Sequence, residues 1–405
     1  MTSRRQFLHL GLRSGLALGL TTALQGVSFS AGAGTTRFVV VILRGALDGL
    51  SAVPPHADPD YAAARGAIAI PPPGQAQGAL ALDGFFGLHP ALPWLHERYV
   101  DGELLVVHAS ASAYRDRSHF DGQNVLENGG DRPSANASGW LNRALGALPG
   151  RGAEGLALGQ NVPLLLRGPA PVGSWAPSVL PEVDPELLLR LRELYAEDAT
   201  LAARLDEATR VDALAGEQGG ERAGAMKQGG RGAGAARLKA IAQTAGRMLA
   251  APDGPRVAVM DAVGWDTHAG EGSGEGRLAA RLRILDETLA ALRGGLDMEW
   301  ARTAVLVCTE FGRTVEVNGT GGTDHGTGAA AFLVGGAVRG GRVLADWPGL
   351  ALRQRHEARD LRPTTDLRAV ARAVLAEHLQ LPPRALAQVF PGSERIAPLR
   401  DLIRA

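Results

Sequence analysis

The chain has 405 residues, of which 42 are basic and 42 acidic, 45% are hydrophobic and one is cysteine. That length can bury a large core, a balanced charge gives a nucleic acid no basic face, and one cysteine permits no internal disulfide.

The first 33 residues place Arg4 and Arg5 in an S-R-R-x-F-L pattern ending at Phe7 and Leu8. A weakly apolar stretch follows, then a small-residue exit at Ala31-Gly32-Ala33. This order of charged, apolar and cleavage regions is that of a twin-arginine secretory signal, so a periplasmic or secreted protein is expected. The competing reading is a membrane anchor or an amphipathic first helix. Gly and Thr interrupt the run, and no stretch of roughly 18 unbroken apolar residues occurs, so no integral membrane segment is expected. Removing the segment takes away Arg4, Arg5 and Arg13 and leaves 39 basic against 42 acidic residues.

Short apolar runs at residues 38–43, 104–108, 162–166, 257–260, 304–309 and 331–334 predict buried strands. Segments with a 3.6-residue apolar period at 90–100, 185–208, 237–251, 277–292 and 365–379 predict helices between them. Asp366 lies in the first turn of the last helix, where a negative charge suits the dipole. Alternation of this kind predicts an α/β fold with a largely parallel central sheet flanked by helices, and a helical, Gly-rich insertion at about 180–250. Residues 211–234 lack apolar periodicity and read as a loop. Gly230, Gly232 and Ala235 match a dinucleotide-binding pattern there, but no strand leads into it.

The polar clusters follow directly on predicted strands, and strand ends on one edge of a parallel sheet converge without any local motif. Asp48, after the first run, is either a metal ligand or a helix N-cap. Ser118 opens a helical stretch as either a nucleophile in the positive field of the helix terminus or an ordinary cap. Asp266 and His268 offer the oxygen and nitrogen donors that suit zinc or manganese. Glu310 emerges from a strand, and Asp324 and His325 follow in a Gly-rich loop. Arg313 is either a bidentate clamp for phosphate or sulfate or one half of a surface ion pair with Glu316. Cys308 reads as core packing. Together these residues form the inventory of metal-assisted phosphoryl or sulfuryl transfer: ligands, a nucleophile and an anion clamp.

The twin-arginine start, LRGALDGL, RSHFDGQ, GWDTH, TEFGRT and TDHGTG, in this order, resemble domain-of-unknown-function family 1501, exported bacterial proteins grouped with the alkaline-phosphatase-like superfamily. The resemblance implies a metal centre at the carboxyl edge of the sheet, with one or two divalent ions, zinc or manganese, held by Asp48, Asp266, His268, Glu310 and His325. It implies Ser118 as the nucleophile. Phe311 stands where the superfamily carries a ligand histidine, which leaves Asp324 or His119 to compensate. The expected function is an exported metal-dependent hydrolase of small phosphate or sulfate esters. The alternative is a non-catalytic exported binding or assembly protein on a degenerate scaffold of the same kind.

Overall fold

The computed structural model describes residues 36–148, 155–177, 185–198 and 233–404, with a few positions between 201 and 209. The expected signal at 1–33 and most of the Gly-rich stretch lie outside the described residues.

Among the described residues the main sheet has nine strands: β1 (Arg37–Arg44), β2 (Leu104–Ala111), β3 (Gly155–Leu158), β4 (Val172–Trp175), β5 (Val257–Val263), β6 (Thr303–Thr309), β7 (Ala329–Val334), β8 (Arg342–Leu344) and β9 (Thr365–Asp366). They lie in the order β8-β2-β7-β6-β1-β5-β3-β4, with β9 also beside β2. β1 is the axis, parallel to β5 on one side and to β6 on the other, so that Val40 stands beside both Val259 and Leu306. A central strand covered on both faces must be apolar along its whole length, and RFVVVILR is buried as far as the half-buried Arg44.

Side chains alternate between the two faces. Val39, Val41 and Leu43 join a core built with Ile241, Ala245 and Leu249 and with Leu278, Leu282, Leu285 and Leu289. Those residues come from two long helices, Ala233–Ala250 and Arg277–Leu296. Phe38, Val40 and Ile42 face the opposite core, with Leu141, Val370, Val374 and Leu386 from the helices Trp140–Ala147, Leu367–Glu377 and Pro383–Val389. The helix from Ala233, placed by sequence in the insertion, thus packs as a wall of the core. The same layer explains a buried acid: Asp286 accepts from Trp94 N and Leu95 N, each at 2.9 Å, and so caps the helix Pro93–Val100 from another helix. Among the described residues no helix is long and apolar enough to cross a membrane.

One expectation needs correction. Residues 162–166 are not a strand: Leu164–Leu166 is a single 3-10 turn. Pro163 has no N–H for a ladder, and Leu165 N donates to Glu127 Oε2 at 2.9 Å instead. The strands in that region are β3 and β4, whose short runs of Gly, Ala, Leu, Val, Ser and Trp carry a weak β signal. The sheet is largely parallel, as expected, with one reversed strand: β7 runs antiparallel to both β2 and β6. The helix expected at 365–379 begins at Leu367, with Asp366 as its N-cap accepting from Arg368 N at 2.8 Å.

Leu282 is fully buried against the β1 face. Leu282→Ala is expected to cost about 2–5 kcal/mol through lost burial and the cavity left behind. Urea unfolding checks this, with a lower midpoint at an unchanged slope.

Candidate functional site

β1, β2, β5 and β6 are mutually parallel, so the segments that leave them emerge on one edge of the sheet; β7 starts from that edge because it runs the other way. The segments press closely together there. A Cβ on Gly45 would stand 2.7 Å from Asp266 N, and Gly45 has φ +119°, so only glycine fits where the chain leaving β1 crosses the turn after β5. A Cβ on Gly312 would meet the Gly328 carbonyl oxygen at 1.8 Å, which allows the segment leaving β6 to lie on the entry to β7.

Arg313 ties these segments together. Its Nε donates to Ala46 O at 2.8 Å and its Nη1 to Thr323 O at 3.2 Å. Its Nη2 donates to the carbonyls of Gly45 and Trp265 and to Asp266 Oδ1. The side chain is fully buried. Every nitrogen of its guanidinium bonds to a protein acceptor, so Arg313, offered by sequence as an anion clamp, stands here as a brace between loops. Glu316, its other candidate partner, pairs with Arg355 at 2.7 Å.

Three imidazoles surround Asp266. The Nε2 atoms of His268, His325 and His119 lie 3.1, 3.3 and 3.6 Å from Asp266 Oδ1. His119, Asp266 and His325 each offer a ligand atom within 4.8 Å of the others. His268 joins from the Asp266–His325 side, its Nε2 2.9 Å from that of His325. The opposite nitrogen of every ring faces an oxygen: His119 Nδ1 meets Glu310 Oε1 at 2.8 Å, His268 Nδ1 meets Asp324 Oδ1 at 3.2 Å, and His325 Nδ1 meets the Arg117 carbonyl at 2.9 Å. A carbonyl or carboxylate only accepts, so each Nδ1 donates in these contacts, and the three Nε2 atoms converge on Asp266 Oδ1. His119 Nε2 is buried with no hydrogen-bond partner. Phe311 stacks under the His119 ring, with centroids 5.0 Å apart. It is a platform for that ring where a ligand was expected.

The charges follow from these contacts. The hydrogen bond to Glu310 raises the His119 pKa, while burial, His119 and Arg313 lower that of His325. Burial alone would raise the Glu310 pKa, but donation from His119, Gln123 and Gly45 N brings it below the usual carboxylate range. Asp266 is lowered likewise: burial opposes ionisation, and Arg313 outweighs it.

Of the residues singled out by sequence, the fold brings Asp266, His268 and His325 together. It places Glu310 behind His119, as the acceptor that orients the ring. Ser118 is the N-cap residue of the helix His119–Asn128 and is half-buried, but its hydroxyl makes no cap bond. Asp48 stands apart as the N-cap of Gly49–Ala52, accepting from Leu50 N at 2.9 Å and Ser51 N at 3.1 Å. The donor that sequence left in reserve is His119. Its signal was its place next to Ser118, at the end of the polar loop after β2.

A family model described as "Protein of unknown function (DUF1501)" matches residues 108–390, well over half of the chain. The chain belongs to the DUF1501 family. The match includes all three imidazoles, Asp266, Ser118, Glu310 and Arg313, and excludes Asp48. No curated protein matches this chain.

In this DUF1501 chain Asp48 belongs to a separate buried group. Arg65 Nη2 pairs with Asp48 Oδ2 and lies 3.6 Å from Glu271 Oε1, with all three side chains shielded from solvent. Burial, and then the Asp48 charge, push the Glu271 pKa from 4.5 up to about 8. One guanidinium neutralises one of two buried carboxylates, and the other keeps its proton. The folded state therefore binds a proton that the unfolded chain releases near 4.5. The stability this gives is complete below that value and is lost as pH rises toward about 8. Between pH 6 and 8.5 the urea midpoint of the wild type should fall further than that of Glu271→Gln. A parallel fall in both proteins would remove Glu271 as its source.

Proposed function

We propose that the chain is an exported metal-dependent hydrolase with a one-ion centre, holding zinc or manganese through His119, Asp266, His325 and His268 and acting on small phosphate or sulfate esters. The observation that carries the reading is the convergence of three Nε2 atoms on one carboxylate oxygen, with every Nδ1 pinned from behind. With every Nδ1 protonated and no cation present, two neutral Nε2 atoms would stand lone pair to lone pair at 2.9 Å, and His119 Nε2 is buried without a hydrogen-bond partner. Such an arrangement is costly unless a positive charge sits among them. Nitrogen donors with one carboxylate suit zinc or manganese, and oxygen acceptors behind the rings are the usual support for such ligands.

A divalent ion there would supply Lewis-acid stabilisation of developing negative charge. The chain's own residues do the rest. Glu310, Asp324 and the Arg117 carbonyl hold the imidazoles in one tautomer. Arg313 fixes Asp266. Ser118 presents a hydroxyl at the positive end of a ten-residue helix, the position of a nucleophile. The side chains of Asp266 and His268 are 45% and 44% exposed, so a substrate can reach the centre from solvent. Support for the alkaline-phosphatase-like superfamily comes from the largely parallel sheet and from polar groups at its carboxyl edge in the expected chain order.

Purified protein should carry about one equivalent of zinc or manganese, lost in His119→Ala and Asp266→Ala, and should turn over aryl phosphates or sulfates. Ser118→Ala should retain the metal and lose turnover; equal turnover would remove Ser118 as nucleophile. The commitment of Arg313 to protein acceptors favours a second reading, a non-catalytic binding or assembly protein, because the expected anion clamp is spent on structure. Bound metal with no turnover of either ester would select it. Export rests on the first 33 residues. Replacing Arg4 and Arg5 together by Lys should hold the protein inside the cell, while the unchanged chain reaches the periplasmic or culture fraction.

A further inference from the structure

We propose that Glu271 is the positioning residue that sets the spacing between the two loops bearing Asp266–His268 and Asp324–His325, and with it the affinity of the centre for a divalent ion. The inference rests on the metal reading above and concerns a side chain that touches none of the imidazoles. Glu271 Oε2 accepts from Thr267 Oγ1 at 3.0 Å and from Thr323 Oγ1 at 2.7 Å. Thr267 lies between Asp266 and His268, and Thr323 directly precedes Asp324 and His325. One oxygen atom therefore fastens the two loops from behind. Both threonines and Glu271 are buried, and Thr323 N adds a bond to Thr267 O at 3.2 Å.

Only an acceptor with two lone pairs can hold two hydroxyls at once. Oε1, on the far side, faces Arg65 and Asp48. A glutamine satisfies both requirements: its carbonyl oxygen keeps the two threonines, and its amide donates toward Asp48. An alanine leaves two hydroxyls without their acceptor in a dry interior and frees the loops to drift apart. Outer-shell losses of this kind weaken metal binding by about 10–100-fold.

The test is a competition titration of zinc against a chromophoric chelator, with the cobalt(II) absorption spectrum as a second readout of ligand geometry. Expected is an affinity within about threefold of wild type for Glu271→Gln, with unchanged cobalt bands, and one weaker by about 10–100-fold for Glu271→Ala, with altered bands. Thr323→Val cuts one arm of the fastening and should fall between them, which keeps the question decidable if the alanine variant does not fold. Wild-type zinc affinity in folded Glu271→Ala or in Thr323→Val, or Glu271→Gln as weak as the alanine variant, would overturn the proposal and leave the metal reading standing. A wild-type protein that binds neither zinc nor cobalt would overturn both.

Discussion

The crest of this sheet depends on one guanidinium. Four segments leave strands there and a fifth enters β7, and several of their carbonyl groups turn inward, away from the sheet ladder. Buried carbonyls need donors, and Arg313 supplies them to Gly45, Ala46, Trp265 and Thr323. A planar fork with five N–H groups can reach several acceptors from one buried position, which a lysine ammonium on its flexible stem cannot. The remaining bond goes to Asp266, so the group that holds the loops together also holds the carboxylate at the centre of the imidazoles. Packing and site geometry thus share a single residue.

The second constraint is tautomeric. Three histidines arrive from separate parts of the chain, and each alone could rotate or protonate at either nitrogen. Glu310, Asp324 and the Arg117 carbonyl remove that freedom, and Phe311 fixes the plane of the His119 ring. Rings held this way lose little further entropy when a ligand arrives, which is the physical meaning of a prepared site.

Much of this was legible in the amino-acid order. β1, β2, β5 and β6 announce themselves by β-branched runs, and the polar residues that follow them do meet at one edge. β3 and β4 were missed because Gly-Leu-Ala-Leu and Val-Gly-Ser-Trp are too short and too mixed to stand out, while the apolar 162–166 run is broken by Pro163. Asp48 illustrates a real ambiguity: an acid after a strand serves either as a ligand or as a cap, and only the fold shows both its oxygens occupied. Arg313 carries a related ambiguity, since a sequence shows charge and not burial. His119 was held in reserve because it stands next to a serine that claimed the helix terminus. Glu271 carried no local signal at all: its partners are 4 and 52 residues away.

The reversed direction of β7 has a consequence for how the molecule is made. His325 comes before that strand, whereas Asp266 and His268 come after β5 and His119 follows β2, so the centre draws on chain from residue 119 to residue 325. Contacts at that separation form late, since long loops must close before they are rewarded. No chain synthesised short of residue 325 and no isolated hairpin can display the three rings together. The cluster is therefore a seal on the finished sheet: it closes only when the strands around β1 have found their order, and a chain released before that point would carry histidines but no centre.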